Sequence, residues 1–435
     1  MKIIQITPGA GESFYCENCL RDKALVLALR KAGHDALMVP LYLPPLAVGP
    51  HERYATPIFF GGINVYLQQK SALFRRTPRW LDRLLDSRLL LNWAGPRAGM
   101  TDARDLGETA VSVLLGERGR QAKELQRLLE FLGGRHRPDV VCLSNAMLMG
   151  LARRVKESLG AEVVCMLEDE EGFLDALAEP WRREAWDLLR EGAGEIDAFA
   201  AVSRYYADRM CRRLALDGSN VHVVHSGIDP EGYAPAPSPP ERPVIGFLSQ
   251  MSRDKGLDTL VEAFELLKRD ARHGGLTLRV TGGRTHADEP FLKGLRRRIR
   301  SAGLRDDVQF LDDFSRPGRQ AFLPGISVLS VPTRRGEAFG LYVLEALACG
   351  VPVVMPDHGA MPELLAATGG GALHRPNDAS SLAEALDAML RRPRQARAMG
   401  LHGREVVLRD FSVQRAADAM VRIFEKAMAA PAKNR

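Results

Sequence analysis

Short runs of apolar, β-branched residues alternate along the chain with longer segments in which apolar positions recur every three or four residues. This alternation is typical of βαβ units, in which helices join parallel strands. In the first half, the helical pattern Leu20–Lys31 ends before Gly33, a residue that terminates helices readily. The predicted strands of this half are Ile3–Ile6, Ala36–Val39, Val140–Leu143, Val163–Leu167, Phe199–Val202 and Val221–His225.

A proline-rich stretch, 234–243, interrupts the pattern, because proline can continue neither helix nor strand there. We expect a linker at this point, an N-terminal domain over 1–233 joined by a C-terminal helix from 411–435, and a second domain over 244–410. The second domain has an amphipathic helix at Leu257–Lys268 and predicted strands Val244–Leu248, Leu276–Thr281, Val308–Leu311, Ile326–Val331 and Val351–Met355. The pattern predicts an α/β protein with two Rossmann-like, doubly wound domains facing across a cleft at the carboxyl ends of their strands.

Length and composition agree with two globular domains. The chain has 435 residues, 46% hydrophobic and 26% charged, which suits two cores of about 200 residues each. No stretch reaches the roughly 18 apolar residues of a membrane-spanning helix, and the N-terminus resembles a first strand rather than a signal peptide. We therefore expect a cytoplasmic protein that begins at Met1. The net charge of +6 suits anionic ligands such as diphosphates or acidic lipids and does not argue for nucleic acid.

Two local features leave alternatives open. Cys16 and Cys19 form an isolated C-x-x-C, which could be redox-active or half of a zinc site, although no second pair completes it and a structural role is favoured. In Phe74–Trp93, basic residues interleave with tryptophans and leucines, as in helices that lie on a membrane surface. The alternative is an amphipathic insertion on the N-terminal domain, and its aspartates favour this second interpretation over peripheral membrane contact.

The most informative chemistry follows the strand that is expected to end near Pro332. A polar loop leads into a helix that starts near Gly340, and a helix N-terminus at the carboxyl edge of a sheet binds anions. Glu337 lies in the loop and Glu345 in the helix, so both carboxylates are expected to face one cleft. Carboxylates accept hydrogen bonds from neighbouring hydroxyls, as found on a sugar or a ribose. The structural alternative is that Glu337 only favours the helix dipole and Glu345 is solvated.

These residues also carry a resemblance to a known family. Glu337 and Glu345 are separated by seven residues within E-A-F-G-L-Y-V-L-E-A-L-A-C-G-V-P-V-V, which resembles the E-x7-E signature of family 4 glycosyltransferases, enzymes of the GT-B fold. The similarity covers the C-terminal domain almost throughout and the N-terminal domain only in outline. Its other segments are Val202–Ser203, Val223–Asp229, Asp254–Phe264, Thr281–Gly283 and Met361–Glu363.

The resemblance implies a role for each matched residue. Glu337 would contact hydroxyls of the donor sugar and Glu345 those of the ribose, while Lys255 would meet the diphosphate. An ammonium beside a helix N-terminus would stabilise the charge of the departing nucleotide. The remaining expected contacts are the backbone N–H groups of Phe339, Gly340 and Leu341 to the sugar or its phosphate, the glycine loop at Gly283, and the turn with Gly9 and Gly11 to phosphate or acceptor.

Two positions depart from the family's pattern. Where the family has an arginine five residues before the lysine, this chain has Gln250, and Arg253 either reaches the diphosphate instead or is solvated. Where the family has a histidine after an N-terminal-domain strand, this chain has four acids, 168–171. We weigh two hypotheses for these acids: Glu170 or a neighbour orients the acceptor hydroxyl, or the acids form a solvated loop that caps the next helix.

The resulting hypothesis is a retaining glycosyltransferase that moves a sugar from a nucleotide-diphosphate sugar to a hydroxyl acceptor, without cofactor or metal. Asp306–Asp307 and Asp312–Asp313 fall near turns, where aspartate serves the backbone. His225 and His358 end strands or loops near the expected cleft without a partner nearby in sequence. The alternatives are an inactive sugar-nucleotide-binding protein, motivated by Gln250 and the missing histidine, and another reaction on the same fold, such as epimerisation or phosphorolysis.

Overall fold

The computed structural model describes residues 1–8, 17–41 and 103–429. The described residues form two compact units, the first built from 1–8, 18–41, 103–224 and 416–429, the second from 225–415 together with residue 17. The division at 224/225 precedes the proline-rich stretch 234–243, and residues 416–429 join the first unit. Cys16, Gly9, Gly11 and the segment Phe74–Trp93 lie outside the described residues.

The first unit contains a parallel sheet of six described strands in the order β2-β1-β3-β4-β5-β6. These strands are β1 (Lys2–Thr7), β2 (Asp35–Pro40), β3 (Val140–Leu143), β4 (Glu162–Leu167), β5 (Ala198–Ala201) and β6 (Val221–Val223). The described helices are α1 (Glu17–Lys31), α2 (Ala103–Leu114), α3 (Ala122–Arg135), α4 (Ala152–Leu159), α5 (Glu170–Ala176), α6 (Trp181–Gly192) and α7 (Arg204–Leu214). In the register, Ile4 lies between Leu37 and Val141.

The second unit repeats this architecture with the strand order β12-β11-β10-β7-β8-β9, again entirely parallel. Its strands are β7 (Val244–Leu248), β8 (Thr277–Thr281), β9 (Val308–Leu311), β10 (Val328–Ser330), β11 (Val353–Pro356) and β12 (Gly371–His374). Its helices are α8 (Leu257–Lys268), α9 (Glu289–Ser301), α10 (Arg316–Phe322), α11 (Leu341–Ala348), α12 (Met361–Thr368), α13 (Ala379–Leu390) and α14 (Pro393–Asp410), and α15 (Val413–Ala429) leads back to the first unit.

Helices on the parallel sheets explain why the strands are apolar runs rather than alternating patterns. All residues of β3, β5, β7, β10 and β11 are buried, as sheets covered on both faces require. The α/β, two-Rossmann-domain prediction is therefore confirmed. Each of the eleven predicted strands is present, with ends that differ by up to two residues.

The sequence pattern does not predict strand β12. It is an edge strand of four residues, Gly371–His374, of which only the last is buried. A short run that begins with glycine and is half exposed lacks the apolar signal of the central strands.

Candidate functional site

The strand order of the second unit predicts a ligand-binding edge at β7 and β10. Successive strands run β7, β8, β9 to one side and β10, β11, β12 to the other, so the order reverses between β7 and β10. At such a switch point, the loops after two adjacent parallel strands diverge and leave room for a ligand. The two loops are 249–256, after β7, and 331–340, after β10. They carry Lys255 and Glu337 respectively.

The two loops contact each other through Gly256. This residue has φ +72° and is the N-cap of α8, and a Cβ built on it would lie 1.8 Å from the carbonyl oxygen of Pro332. The backbone N–H of Arg334 donates to the carbonyl of Asp254 at 2.8 Å. Glycine at 256 therefore lets the start of α8 approach the end of β10 closely enough to bring Lys255 to Glu337.

We expect Gly256→Ala to lower the free energy of unfolding by roughly 3 kcal/mol, because it adds both backbone strain and a clash with a backbone oxygen. Gly303→Ala is the matched control: Gly303 has φ +73° but no atom within 4 Å of a built Cβ. Strain alone predicts a loss of about 1 kcal/mol there. Chemical denaturation of both variants measures the difference, and equal losses would show that the contact with Pro332 is unimportant.

Glu337 and Lys255 form the charged centre of the site. The Lys255 ammonium is ion-paired with Glu337 Oε1, and the Tyr342 hydroxyl, on the first turn of α11, donates to Glu337 Oε2. Glu337 is only 7% exposed. The backbone also fixes it, since its carbonyl accepts the N–H of Ala360 at 3.0 Å. A buried carboxylate is thus held at one end by a cation and at the other by a hydroxyl.

The N-terminus of α11 lies directly after this carboxylate. Gly340 is the N-cap, with φ +108°, and it supplies no capping side chain. Phe339, Gly340 and Leu341 are all buried, so the positive end of the helix dipole acts in a poorly solvated environment. The contacts expected of these backbone N–H groups, to a sugar or a phosphate, remain predictions.

Glu345 lies in α11, eight positions after Glu337, and its side chain is held by partners that are distant in sequence. It is 2% exposed, and its Oε1 accepts from Arg319 Nε at 2.9 Å and from the Tyr233 hydroxyl at 2.5 Å. Arg319, on α10, is itself 5% exposed, so the guanidinium and the carboxylate neutralise each other within the core. Glu345 Oε2 has no hydrogen-bond partner within the described residues. The alternative of a solvated Glu345 is wrong.

The other expected donor-side residues have defined contacts. Gln250 Nε2 donates to Asp288 Oδ2 at 3.0 Å, and this oxygen also accepts from the N–H and hydroxyl of Thr285. Arg253 is exposed, with its guanidinium carbon 5.5 Å from the ring centre of Phe291. Gly283 is buried in the loop after β8, where its carbonyl accepts the Met251 N–H at 2.8 Å.

With this geometry in hand, comparison with known proteins decides the family. Residues 91–231 match the model described as Glycosyltransferase Family 4, and residues 233–406 match the model described as Glycosyl transferases group 1. The chain belongs to the family 4, group 1 glycosyltransferases. The resemblance drawn from the E-x7-E signature is therefore confirmed.

Individual relatives of this glycosyltransferase chain are distant. A GDP-mannose-dependent α-(1-6)-phosphatidylinositol monomannoside mannosyltransferase of Mycolicibacterium smegmatis is 30% identical over 236 residues, which are 51% of this chain and only 60% of the relative. The MMP α-(1→4)-mannosyltransferase of Mycolicibacterium hassiacum is 27% identical over 353 residues, 78% of each chain. The crystal structure of Anabaena HepE in complex with UDP-glucose has a TM-score of 0.67 at 16% identity, covering 98% of this chain and 100% of that one, which shows the shared GT-B fold.

Several contacts of the candidate site were not expected from the sequence. They involve Arg319, Tyr233 and Tyr342 at the two glutamates, together with His225, whose Nε2 lies 2.7 Å from Glu363 Oε1. His358 Nε2 lies 2.9 Å from the carbonyl oxygen of Thr333, and burial lowers its pKa. Both histidines thus have partners, 138 and 25 positions away, which no short motif could reveal.

The four acids after β4 are mostly buried, so a solvated loop is wrong for Glu168, Glu170 and Glu171. Glu170 accepts three hydrogen bonds inside the fold: from Ala146 N–H at 2.8 Å, from Glu168 N–H at 2.8 Å and from the Tyr206 hydroxyl at 2.6 Å. Glu171 pairs with arginines of α7. The three hydrogen bonds that Glu170 accepts favour a structural role for this residue, and its catalytic role stays a prediction.

The pH dependence of the free energy of unfolding tests the structural role of Glu170. Burial raises the pKa of Glu170 from 4.5 to about 7, against the lowering by its hydrogen bonds. Between these values the folded chain binds more protons than the unfolded chain, so stability falls as pH rises, by on the order of 3 kcal/mol. We expect Glu170→Gln to abolish this decline and Glu171→Gln to keep it, as measured by urea unfolding at pH 5 and pH 8. A decline that persists in Glu170→Gln would contradict the assignment.

Within the described ranges, no group of three or more His, Cys, Asp or Glu side chains could hold a metal ion. No helix in the described part of the chain is both long enough and apolar enough to cross a bilayer.

Proposed function

We propose that this protein is a retaining glycosyltransferase, with a nucleotide-diphosphate sugar as donor and a hydroxyl group as acceptor. The observation that carries the proposal is the ion pair of Lys255 and Glu337 at the switch point of the second sheet, directly before the N-terminus of α11. A cation on one loop, a carboxylate on the neighbouring loop and the helix dipole that follows it match the charges of a diphosphate and the hydroxyls of a hexose.

The ion pair gives the donor a defined way to bind. When a diphosphate approaches, its oxygens compete with Glu337 for the Lys255 ammonium. Glu337 is then released to accept hydrogen bonds from the hexose hydroxyls, while Tyr342 keeps one of its oxygens in position. Lys255 and the dipole of α11 would stabilise the negative charge that develops on the leaving nucleotide.

Glu345 provides the proposed ribose contact. Arg319 and Tyr233 occupy one of its oxygens and leave Oε2, buried and without a described partner, to accept from a ribose hydroxyl. The charge of Arg319 compensates the charge of the buried carboxylate. Donor binding by 244–410 and acceptor binding by the N-terminal domain follow from this assignment as proposals.

The relatives support a nucleotide-sugar donor. One is named as GDP-mannose-dependent, and HepE is seen with UDP-glucose. For the chemical step we propose front-face substitution at the anomeric carbon through an oxocarbenium-like state. The leaving phosphate would take the proton of the attacking acceptor hydroxyl. Because the acceptor attacks the face from which the phosphate leaves, the anomeric configuration is kept.

The proposal is tested by incubating the protein with UDP-, GDP- and ADP-sugars and a panel of hydroxyl acceptors. Released nucleoside diphosphate is measured, and the anomeric configuration of the product is determined by NMR. We expect acceptor-dependent release and a retained configuration. An inverted product would contradict the mechanism, release that requires inorganic phosphate would indicate a phosphorylase, and conversion of the donor without an acceptor would indicate an epimerase. Donor binding without any turnover would favour the inactive binding protein.

A further inference from the structure

A second group of buried polar side chains lies in the first unit, whereas the proposed donor site belongs to the second unit. We call it the polar cluster. Its members come from the ends of three neighbouring strands and from the first half of α1: Gln5, Thr7, Arg21, Asp22, Ser144 and Glu168. Arg21 is the most exposed member at 7%, and Glu168 is 1% exposed.

The polar cluster contains one cation and two carboxylates. Arg21 Nη2 donates to Asp22 Oδ1 at 2.7 Å and is ion-paired with Glu168 Oε1. Gln5 Nε2 donates to the same Asp22 oxygen at 3.3 Å. Arg21 therefore connects α1 to the end of β4 and fixes both acids at the carboxyl edge of the sheet.

Seven buried side-chain atoms of the polar cluster have no hydrogen-bond partner among the described residues. They include two acceptors, Glu168 Oε2 and Gln5 Oε1, and one donor, Arg21 Nε. The others are Thr7 Oγ1, Asp22 Oδ2, Ser144 Oγ and Glu168 Oε1, the last of which is ion-paired with Arg21. Leaving such groups unpaired costs several kcal/mol in total, since each gives up its hydrogen bonds to water. Buried ion pairs with unpaired members rarely stabilise a fold compared with apolar residues, so stability alone does not explain this cluster.

The topology of the first sheet supplies an independent pointer. Its described strand order, β2-β1-β3-β4-β5-β6, reverses direction between β1 and β3. Open parallel sheets bind ligands beyond the carboxyl ends of the strands at such a reversal. Thr7 ends β1, and Ser144 follows β3 directly, so the polar cluster lies at this position.

We propose that the polar cluster binds a neutral polyol, with ligand hydroxyls that donate to Glu168 Oε2 and Gln5 Oε1 and accept from Arg21 Nε. A hydroxyl group both donates and accepts, which matches this mixed set of atoms. The dianion of a phosphate monoester would be repelled by the two carboxylates and offers them no proton. A cation would be repelled by Arg21 and could not accept from its Nε–H group. Assigning this polyol as the glycosyl acceptor rests on the proposed function.

The test measures ligand binding by saturation-transfer NMR and calorimetry in the presence of UDP or GDP. The probes are three neutral polyols, myo-inositol, glycerol and methyl α-mannopyranoside, and the phosphate monoester of each parent polyol. The variants are Glu168→Gln and, as a matched control, Glu171→Gln, which removes a carboxylate three residues further along that pairs with Arg209 and Arg213 outside the cluster.

We expect a neutral polyol to bind the wild type and the Glu171→Gln control. Its affinity for Glu168→Gln should be at least about tenfold lower, which corresponds to the free energy of one hydrogen bond to a charged group. Nucleotide binding should be equal in all three proteins, and Glu168→Gln should unfold at no lower temperature than the wild type. The proposal is overturned if no neutral polyol binds, if the phosphates bind better, or if Glu168→Gln binds normally. Failure of the wild type to bind any nucleotide would instead contradict the proposed function.

Discussion

Lys255→Ala is expected to lower kcat/KM for the nucleotide-sugar donor by about two to three orders of magnitude, the effect of removing one preorganised charge from a developing anion. The ammonium is the partner of a buried carboxylate, so the variant loses the diphosphate contact and also leaves Glu337 without its cation. Both consequences act on the same step, because an uncompensated Glu337 repels the diphosphate. The initial rate of nucleoside diphosphate release measures the loss.

Lys293→Ala serves as the control for this prediction. Lys293 is exposed on α9, so the same substitution there changes net charge without touching the site. The control should keep the wild-type kcat/KM. If Lys255→Ala also kept it, while its thermal unfolding matched that of the wild type, Lys255 would have no part in binding the diphosphate.

Glu345→Gln is expected to weaken donor binding by about 10- to 100-fold, the equivalent of a hydrogen bond between a hydroxyl and a charged acceptor. The substitution keeps the size of the side chain but removes the charge that balances the buried Arg319. Glu384→Gln, at an exposed position of α13, is the matched control and should bind the donor as the wild type does.

A second ligand distinguishes loss of the ribose contact in Glu345→Gln from a general disturbance of the core by this substitution. The wild type should bind a 2′,3′-dideoxy nucleoside diphosphate more weakly than the ribose form, because Glu345 Oε2 then has no hydroxyl to accept from. The Glu345→Gln variant should distinguish the two ligands much less, since the interaction is lost from the protein side. Undiminished discrimination by the variant would remove the ribose role from Glu345.

Most of the fold could be predicted from the sequence because the strands are buried on both faces. Runs such as Val244–Leu248 and Val140–Leu143 are apolar without interruption, and the structure gives these bounds unchanged. The exposed edge strand β12 lacks that signal. The two glutamates of the site could be found because they are close in sequence. They lie eight positions apart on one loop and the helix that follows it, so a local sequence pattern contains both.

The partners of those glutamates could not be found in the same way. Tyr233 and Arg319 lie 112 and 26 positions from Glu345, and the Lys255–Glu337 pair spans 82 positions. Such pairs form only when the sheet brings separate loops together. The acids after β4 illustrate the same limit: sequence reasoning found them, but only burial and hydrogen bonds distinguish Glu170, which is satisfied within the fold, from Glu168, which is not.

The measurement that tests the central claim most directly is calorimetric titration of UDP-, GDP- and ADP-sugars into the wild type and Lys255→Ala. The proposed site predicts that one nucleotide series binds the wild type selectively and that Lys255→Ala loses most of this affinity. Absence of binding by every nucleotide sugar, or equal binding by the variant, would contradict a donor site built on Lys255 and Glu337.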